Sequence, residues 1–165
     1  MAYEIAALNQ MSQDDFGAAL GAVFEATPQI ARQAWLQRPF ADVEALHRAM
    51  VDCVNAMSSD AKLALIQAHP DLGTRVKMAE ASVKEQAGVG LDRLSAEEFE
   101  QFQSLNRQYK ARFGIPFIVA VKNHTKASIL ESFERRLNHS AEAETAQALA
   151  EIAQIAKFRL LDLVV

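Results

Sequence analysis

The sequence contains few of the residues that crosslink a protein or bind a metal. Its single cysteine, Cys53, excludes an internal disulfide. No CxxC pair is present, and His47, His124 and His139 share no ligand spacing, so we expect no metal site. The chain also lacks the GxGxxG, P-loop and GxSxG motifs. We therefore expect neither a bound metal nor a nucleotide cofactor.

An excess of basic charge and long apolar runs are missing as well. Lys and Arg number 17 against 21 Asp and Glu, a net charge of -4 that argues against binding nucleic acid by neutralising phosphates. No apolar run approaches the ~20 residues needed to span a bilayer, and the opening MAYEIAALNQ lacks a secretory signal pattern. We expect no nucleic-acid or membrane partner, and a cytoplasmic location.

What the chain does contain is helical periodicity between its six glycines and four prolines. Ser12, Asp42 and Ser95 each precede an apolar-periodic segment and predict helix N-caps. The stretch FIVAV at 117–121 is strand-like but has no second strand to pair with, which predicts a buried helix turn or an extended connector. The sequence therefore predicts an all-α fold without a sheet, a single compact domain over residues 1–165 with about eight helices.

Three further predictions concern individual segments. Thr27 is expected to cap a helix that begins at Pro28. Leu63 is expected to face the core, because it lies on the apolar stripe of its helix. Residues 74–87 are expected to form one helix, since their apolar positions keep a helical spacing.

The triplet His69-Pro70-Asp71 lies at a break between two helical segments. An imidazole held at a helix end by a following proline suits general acid–base chemistry near neutral pH. A histidine that only packs at a helix C-terminus would give the same triplet. A co-chaperone J-domain would also contain this triplet. Such a domain needs a basic helix before the triplet, but the preceding segment here has one basic residue, Lys62, which is balanced by Asp60.

Two other sites combine polar groups with helical spacing. Ser82, Glu85 and Gln86 fall on one helix face and offer a hydroxyl, a carboxylate and a carboxamide, although a solvated polar face would have the same pattern. Arg159 lies on the apolar stripe of the last helix. A buried guanidinium needs an anion or a carbonyl, which is either a core carboxylate of the protein or a group of a substrate.

Longer stretches of the chain resemble the 2-oxo-4-hydroxy-4-carboxy-5-ureidoimidazoline (OHCU) decarboxylases of urate breakdown. The resemblance extends over nearly the whole chain, and its most specific block is FG-x-PF-x-x-AV. The stretches that carry it are HPDLG at 69–73, SVKEQAG at 82–88, LNRQYKARFGIPFIVAV at 105–121 and RLLDLV at 159–164, with RPF at 38–40 and TKASILESFERRL at 125–137. The resemblance implies a compact helical fold, a homodimer and cofactor-free conversion of the ureidoimidazoline substrate to (S)-allantoin.

The same resemblance implies roles for individual residues. It implies that His69 and Glu85 are catalytic. It implies that the substrate is bound by Pro70, Ser82, Gln86, Arg159 and the stretch Phe117, Ile118, Val119, Ala120 and Val121. The connection between the HPDL and S-x-x-EQ elements is shorter here than in some members of the family. A helical module that binds a ligand without catalysis stays open as an alternative.

Overall fold

The computed structural model describes residues 1–74 and 78–165. These residues contain nine α-helices and two short 3-10 helices, Trp35–Gln37 and Val121–Asn123, with one isolated bridge between Tyr3 and Val164 and no strand. The all-α prediction is confirmed, with nine helices where about eight were expected. The α-helices are α1 Ile5–Gln10, α2 Gln13–Leu20, α3 Gln29–Ala34, α4 Val43–Asn55, α5 Ser59–Gln67, α6 Glu80–Gly88, α7 Ala96–Phe113, α8 Lys126–Arg136 and α9 Ala141–Leu163.

The backbone divides into two compact units. The first unit comprises Met1–Leu65 with Ala153–Val165, and the second comprises Ile66–Ile152. The domain boundaries 1–165 stay a prediction. Within 1–74 and 78–165, no helix has both the length and the apolar character needed to cross a bilayer.

Local signals account for the helix starts of the first unit. The Ser12 hydroxyl accepts a hydrogen bond from Asp15 N–H at 3.1 Å, and the Asp42 carboxylate accepts one from Ala45 N–H at 2.8 Å. Both caps were predicted, and both satisfy amides that have no partner within their helix. The Thr27 cap was wrong. Its hydroxyl instead donates to the backbone carbonyl of Glu25 at 2.7 Å, so α3 begins without a side-chain cap.

The second unit is built around α7 and α8. Ser95 and Glu98 form a capping box at the start of α7, as the sequence predicts, and Gly114 ends the helix in the left-handed region at φ 71°. Phe117 stacks on Phe133 with 3.7 Å between ring centroids, which joins the segment after α7 to α8. This packing places residues 117–121 inside the unit, where they form a buried extended connector that ends in a 3-10 turn.

Two predicted segments differ from the structure. The helix expected over 74–87 begins only at Glu80, after extended backbone at Ala79, and residues 75–77 lie outside the described part of the chain. Leu63 is 41% exposed while Leu65 is buried. The register of α5 turns Leu65 rather than Leu63 inward, a difference that apolar spacing alone does not decide in so short a helix.

Candidate active site

The His69-Pro70-Asp71 triplet follows the end of α5. The helix ends at Gln67, and the backbone N–H of His69 still donates to the carbonyl of Ile66 at 3.2 Å. The imidazole is buried, with 8% of the residue exposed. The proline therefore ends the helix as predicted and leaves the histidine buried.

Two buried carboxamides hold the main chain just after this triplet. Gln86 Oε1 accepts from Gly73 N–H at 3.0 Å, and Gln86 Nε2 donates to the Asp71 carbonyl at 3.3 Å. Asn106 Nδ2 donates to the Leu72 carbonyl at 2.9 Å. We call residues 71–73 the clamped turn. Its backbone groups bond to side chains from α6 and α7, which fixes the path of the chain next to His69.

Gly73 is required by the shape of the clamped turn. Its φ of +68° lies in the left-handed region, and a Cβ built on it would come 2.8 Å from a Leu94 methyl carbon. Any larger residue would therefore be strained by its backbone and by its neighbour. The glycine of HPDLG thus serves the geometry of the turn.

The three polar residues that the sequence predicts on one helix face all lie on α6. Ser82 and Gln86 are buried and Glu85 is half-buried, whereas Val83 on the same helix is exposed. A solvated polar face is therefore wrong for Ser82 and Gln86. Buried polar groups of this kind are normally hydrogen-bonded, and Gln86 makes its bonds to the clamped turn.

The connector at 117–121 is also tied by side-chain and backbone bonds. The Ile118 carbonyl accepts from Arg136 Nη1 at 2.7 Å, and the Ala120 carbonyl accepts from Asn123 N–H at 3.0 Å. The Arg136 guanidinium also lies 4.3 Å from the Phe117 ring centroid. These bonds fix a non-helical segment whose main chain the family resemblance assigns to the substrate pocket.

Arg136 belongs to a buried polar network that the sequence analysis missed. Its Nε lies 2.8 Å from Glu144 Oε1, which also accepts from the Tyr109 hydroxyl, and His139 Nδ1 lies 2.9 Å from Glu144 Oε2. Burial, and next the hydrogen bond to Glu144, raise the pKa of Tyr109 above its usual range. A signal was present, because Arg136 falls seven residues after Ile129 on the apolar stripe of α8.

Arg159 lies in the first unit and is buried, as its place on the apolar stripe of α9 predicts. Its Nη1 is 2.9 Å from a carboxylate oxygen of Glu25, and both residues are buried. The same nitrogen donates to the carbonyls of Ala22 at 3.3 Å and Val23 at 3.4 Å. The core carboxylate that the sequence left open is therefore Glu25, a residue that no local pattern indicated.

The structure groups the candidate residues by unit. His69, Pro70, Ser82, Glu85, Gln86 and the connector belong to the second unit, and Arg159 belongs to the first. Over the described ranges, no cluster of three His, Cys, Asp or Glu residues could hold a metal ion. The imidazole, carboxylate, hydroxyl and carboxamide of the second-unit residues offer acid–base chemistry and hydrogen bonding to a polar ligand.

The chain matches the OHCU decarboxylase family over residues 9–161. It is 42% identical over 158 residues to the 2-oxo-4-hydroxy-4-carboxy-5-ureidoimidazoline decarboxylase of Halalkalicoccus jeotgali, covering 96% of this chain and 90% of that relative. It is 43% identical over 157 residues to the uric acid degradation bifunctional protein of Bacillus subtilis, covering 95% of this chain and 32% of that protein.

Among solved structures, the fold is similar to that of an (S)-allantoin synthase. The TM-score is 0.77 at 30% sequence identity, over 97% of this chain and 54% of the synthase chain. This chain thus spans about half of that synthase and about a third of the bifunctional protein. The family match includes the clamped turn and α9 as far as Leu161, and the chain belongs to the OHCU decarboxylase family.

Proposed function

We propose that the protein is a cofactor-independent carboxy-lyase that converts OHCU to (S)-allantoin in urate degradation. The observation that carries this proposal is a buried histidine, His69, beside a clamped turn in a chain that belongs to this family. A buried imidazole in a fixed position suits proton transfer to a bound substrate better than a histidine on a mobile surface loop does.

The chemistry explains why no cofactor is needed. Decarboxylation breaks the bond to the carboxylate carbon and leaves an electron pair behind. In OHCU the carbon that loses carbon dioxide bears a hydroxyl and adjoins a ring C=N bond, which accepts that pair as in a β-keto acid. The protein must then supply orientation, placed charge and one proton.

His69 exchanges a proton with the substrate hydroxyl or with the enol-like intermediate, and Glu85 fixes the imidazole or the ureido N–H groups. Ser82 and Gln86 hold the ureido arm. A carboxamide can accept two hydrogen bonds and donate two. Gln86 uses one of each on the clamped turn, so it retains one of each for a ligand. This count supports a substrate contact from the residue that shapes the turn.

The remaining contacts come from Pro70, Arg159 and the connector. Arg159 grips a ring carbonyl or an oxyanion through its planar guanidinium. The Ile118 and Ala120 carbonyls hold the connector in place through bonds within the protein. The amide N–H groups of 117–121 bind the polar atoms of the ring. The apolar side chains of Phe117, Ile118 and Val119 exclude water, so the proton reaches one face and sets the S configuration.

Two further parts of the proposal carry over expectations from the sequence: the family resemblance implies a homodimer, and the sequence predicts a cytoplasmic location. We propose that the protein is a homodimer and that it acts in the cytoplasm. Sedimentation of the purified protein tests the first, and cell fractionation tests the second.

The deciding experiment follows the circular dichroism of allantoin formed from urate in a coupled assay. The protein is expected to give one enantiomer, whereas racemic allantoin formed at the rate of buffer alone would identify a binding module without catalysis. His69→Asn is expected to lower kcat by about 10²- to 10⁴-fold while allantoin still binds. His47→Asn is the control, because His47 bonds to the Ala153 carbonyl in the first unit. Near-normal turnover of His69→Asn would remove His69 from the mechanism.

A further inference from the structure

The buried pair of Glu25 and Arg159 points to a residue outside the candidate site set. We propose that Glu25 is a positioning residue that fixes the Arg159 guanidinium for substrate binding. This inference rests on the proposed function, in which Arg159 contacts the substrate. It assigns a role to the segment that follows α2, which neither the sequence nor the family resemblance singled out.

The geometry of the pair restrains one end of the guanidinium. The Glu25 carboxylate and the carbonyls of Ala22 and Val23 all lie within 3.4 Å of Arg159 Nη1. The guanidinium is a rigid plane, so holding one nitrogen against several acceptors also sets the direction of its remaining N–H groups. A fork held in this way loses less conformational entropy when it binds a ligand.

The burial of the pair does not by itself show that the pair stabilises the fold. The exposed fractions are 6% for Arg159 and 4% for Glu25. Removing two such charges from water offsets much of their attraction, and apolar residues of similar volume often stabilise a fold equally well. A pair retained at this cost suits a function that needs a charged fork in a fixed position.

The backbone around Glu25 gives an independent indication. Ala26 has φ 47°, in the left-handed region that residues with a Cβ rarely adopt. The buried Thr27 hydroxyl donates to the Glu25 carbonyl at 2.7 Å. Strained backbone of this kind persists where its surroundings hold it, and it is concentrated at functional sites. Here it holds the residue whose carboxylate restrains Arg159.

The test compares the kinetics of Glu25→Asp and Glu25→Gln with OHCU generated from urate. Glu25→Asp keeps the negative charge, and hence the balance of the pair, but withdraws the carboxylate by one methylene. A displacement of about 1 Å in a positioning group can cost about 100-fold. We expect KM to rise about 10- to 100-fold with a smaller change in kcat in a Glu25→Asp protein that still folds.

The matched control is Glu44→Gln. Glu44 on α4 pairs at 3.1 Å with Lys157, which lies on α9 like Arg159. The Glu44 side chain is 50% exposed. Its kinetics are expected to equal those of the wild type, because an exposed pair restrains nothing. A second arm combines Glu25→Asp with Arg159→Lys. If Glu25 acts through Arg159, the double variant will lose no more than Arg159→Lys alone.

Different results overturn different claims. A folded Glu25→Asp with wild-type KM, beside a raised KM in Arg159→Lys, would overturn this inference and leave the proposed function intact. Wild-type kinetics in Arg159→Lys would remove Arg159 from binding and Glu25 with it, while the stereochemical assay still decides the reaction. If Glu25→Asp does not fold, Glu25→Gln takes its place, because it keeps the length of the side chain and removes the charge that holds Arg159 Nη1. A folded Glu25→Gln with wild-type KM would mark the pair as structural and overturn the inference.

Discussion

Each compact unit buries an arginine–glutamate pair, and the two pairs have nearly the same geometry. Arg136 lies 2.8 Å from Glu144 in the second unit, and Arg159 lies 2.9 Å from Glu25 in the first. All of these side chains are at most 6% exposed. Distance and burial alone therefore do not distinguish a pair that supports packing from one that positions a functional group.

The surroundings of the pairs do distinguish them. Glu144 lies on α9 and also bonds to Tyr109 and His139, while Arg136 lies over the Phe117 ring. That pair is the polar centre of an aromatic cluster. Glu25 instead lies between helices, beside the left-handed Ala26. Loss of the first pair should therefore reduce stability, and disturbance of the second should weaken substrate binding.

The largest expected effect is a loss of stability when the Arg136–Glu144 pair is broken. Arg136→Met leaves the Glu144 carboxylate buried without its guanidinium, and this is expected to lower the free energy of unfolding by about 3–5 kcal/mol. Urea denaturation at pH 7 measures the loss. Arg135→Met is the control on the same helix, since Arg135 is exposed, and it should stay within about 0.5 kcal/mol of the wild type. A loss below about 1 kcal/mol in Arg136→Met would contradict the stabilising role that distinguishes this pair from the Glu25–Arg159 pair.

The sequence predicts one member of each pair at best, and the reason is physical. Helix periodicity places Arg159 on a buried face, and the same periodicity would have placed Arg136 there. The carboxylate that meets Arg159 comes from a distant, non-helical segment, and no local pattern encodes such an encounter. Helix limits at Ser95 and Gly114 were predictable because capping is a property of neighbouring residues.

The candidate site shows the same division. The spacing of Ser82, Glu85 and Gln86 predicts a shared helix face, and the structure buries two of the three. The bonds from Gln86 and Asn106 to the clamped turn were not predictable. Each joins a side chain to backbone atoms of another segment, and a sequence does not reveal which backbone groups are left without helical partners.

The bond from Asn106 to the clamped turn tests positioning in the second unit without a change of charge. Asn106→Ala leaves the buried Leu72 carbonyl without its donor, which is expected to lower the free energy of unfolding by about 1–3 kcal/mol. We also expect a fall in kcat of about 10-fold, because the clamped turn adjoins His69 and small misplacements are costly. Denaturation and steady-state kinetics measure the two effects.

The matched control for that variant is Asn138→Ala. Asn138 is an exposed carboxamide that donates to the Glu134 carbonyl at 3.0 Å, so both its stability and its kcat should stay near those of the wild type. If Asn106→Ala loses stability but keeps the wild-type kcat, the clamped turn supports folding only. In that case positioning in this protein would be confined to the charged pair at Arg159.

The smallest expected effect is a pH dependence of the free energy of unfolding, caused by Tyr109 in the network around Glu144. Because burial raises the pKa of Tyr109 above its ordinary value of 10.0, the folded state keeps the phenol proton at pH values where the unfolded chain loses it. The free energy of unfolding should therefore fall as pH rises past 10, by up to about 1.4 kcal/mol per unit. Tyr109→Phe lacks this dependence, so its curve from denaturation between pH 8 and about 11.5 should approach that of the wild type at the alkaline end. Parallel curves for the wild type and Tyr109→Phe would show that the network holds no proton that folding protects.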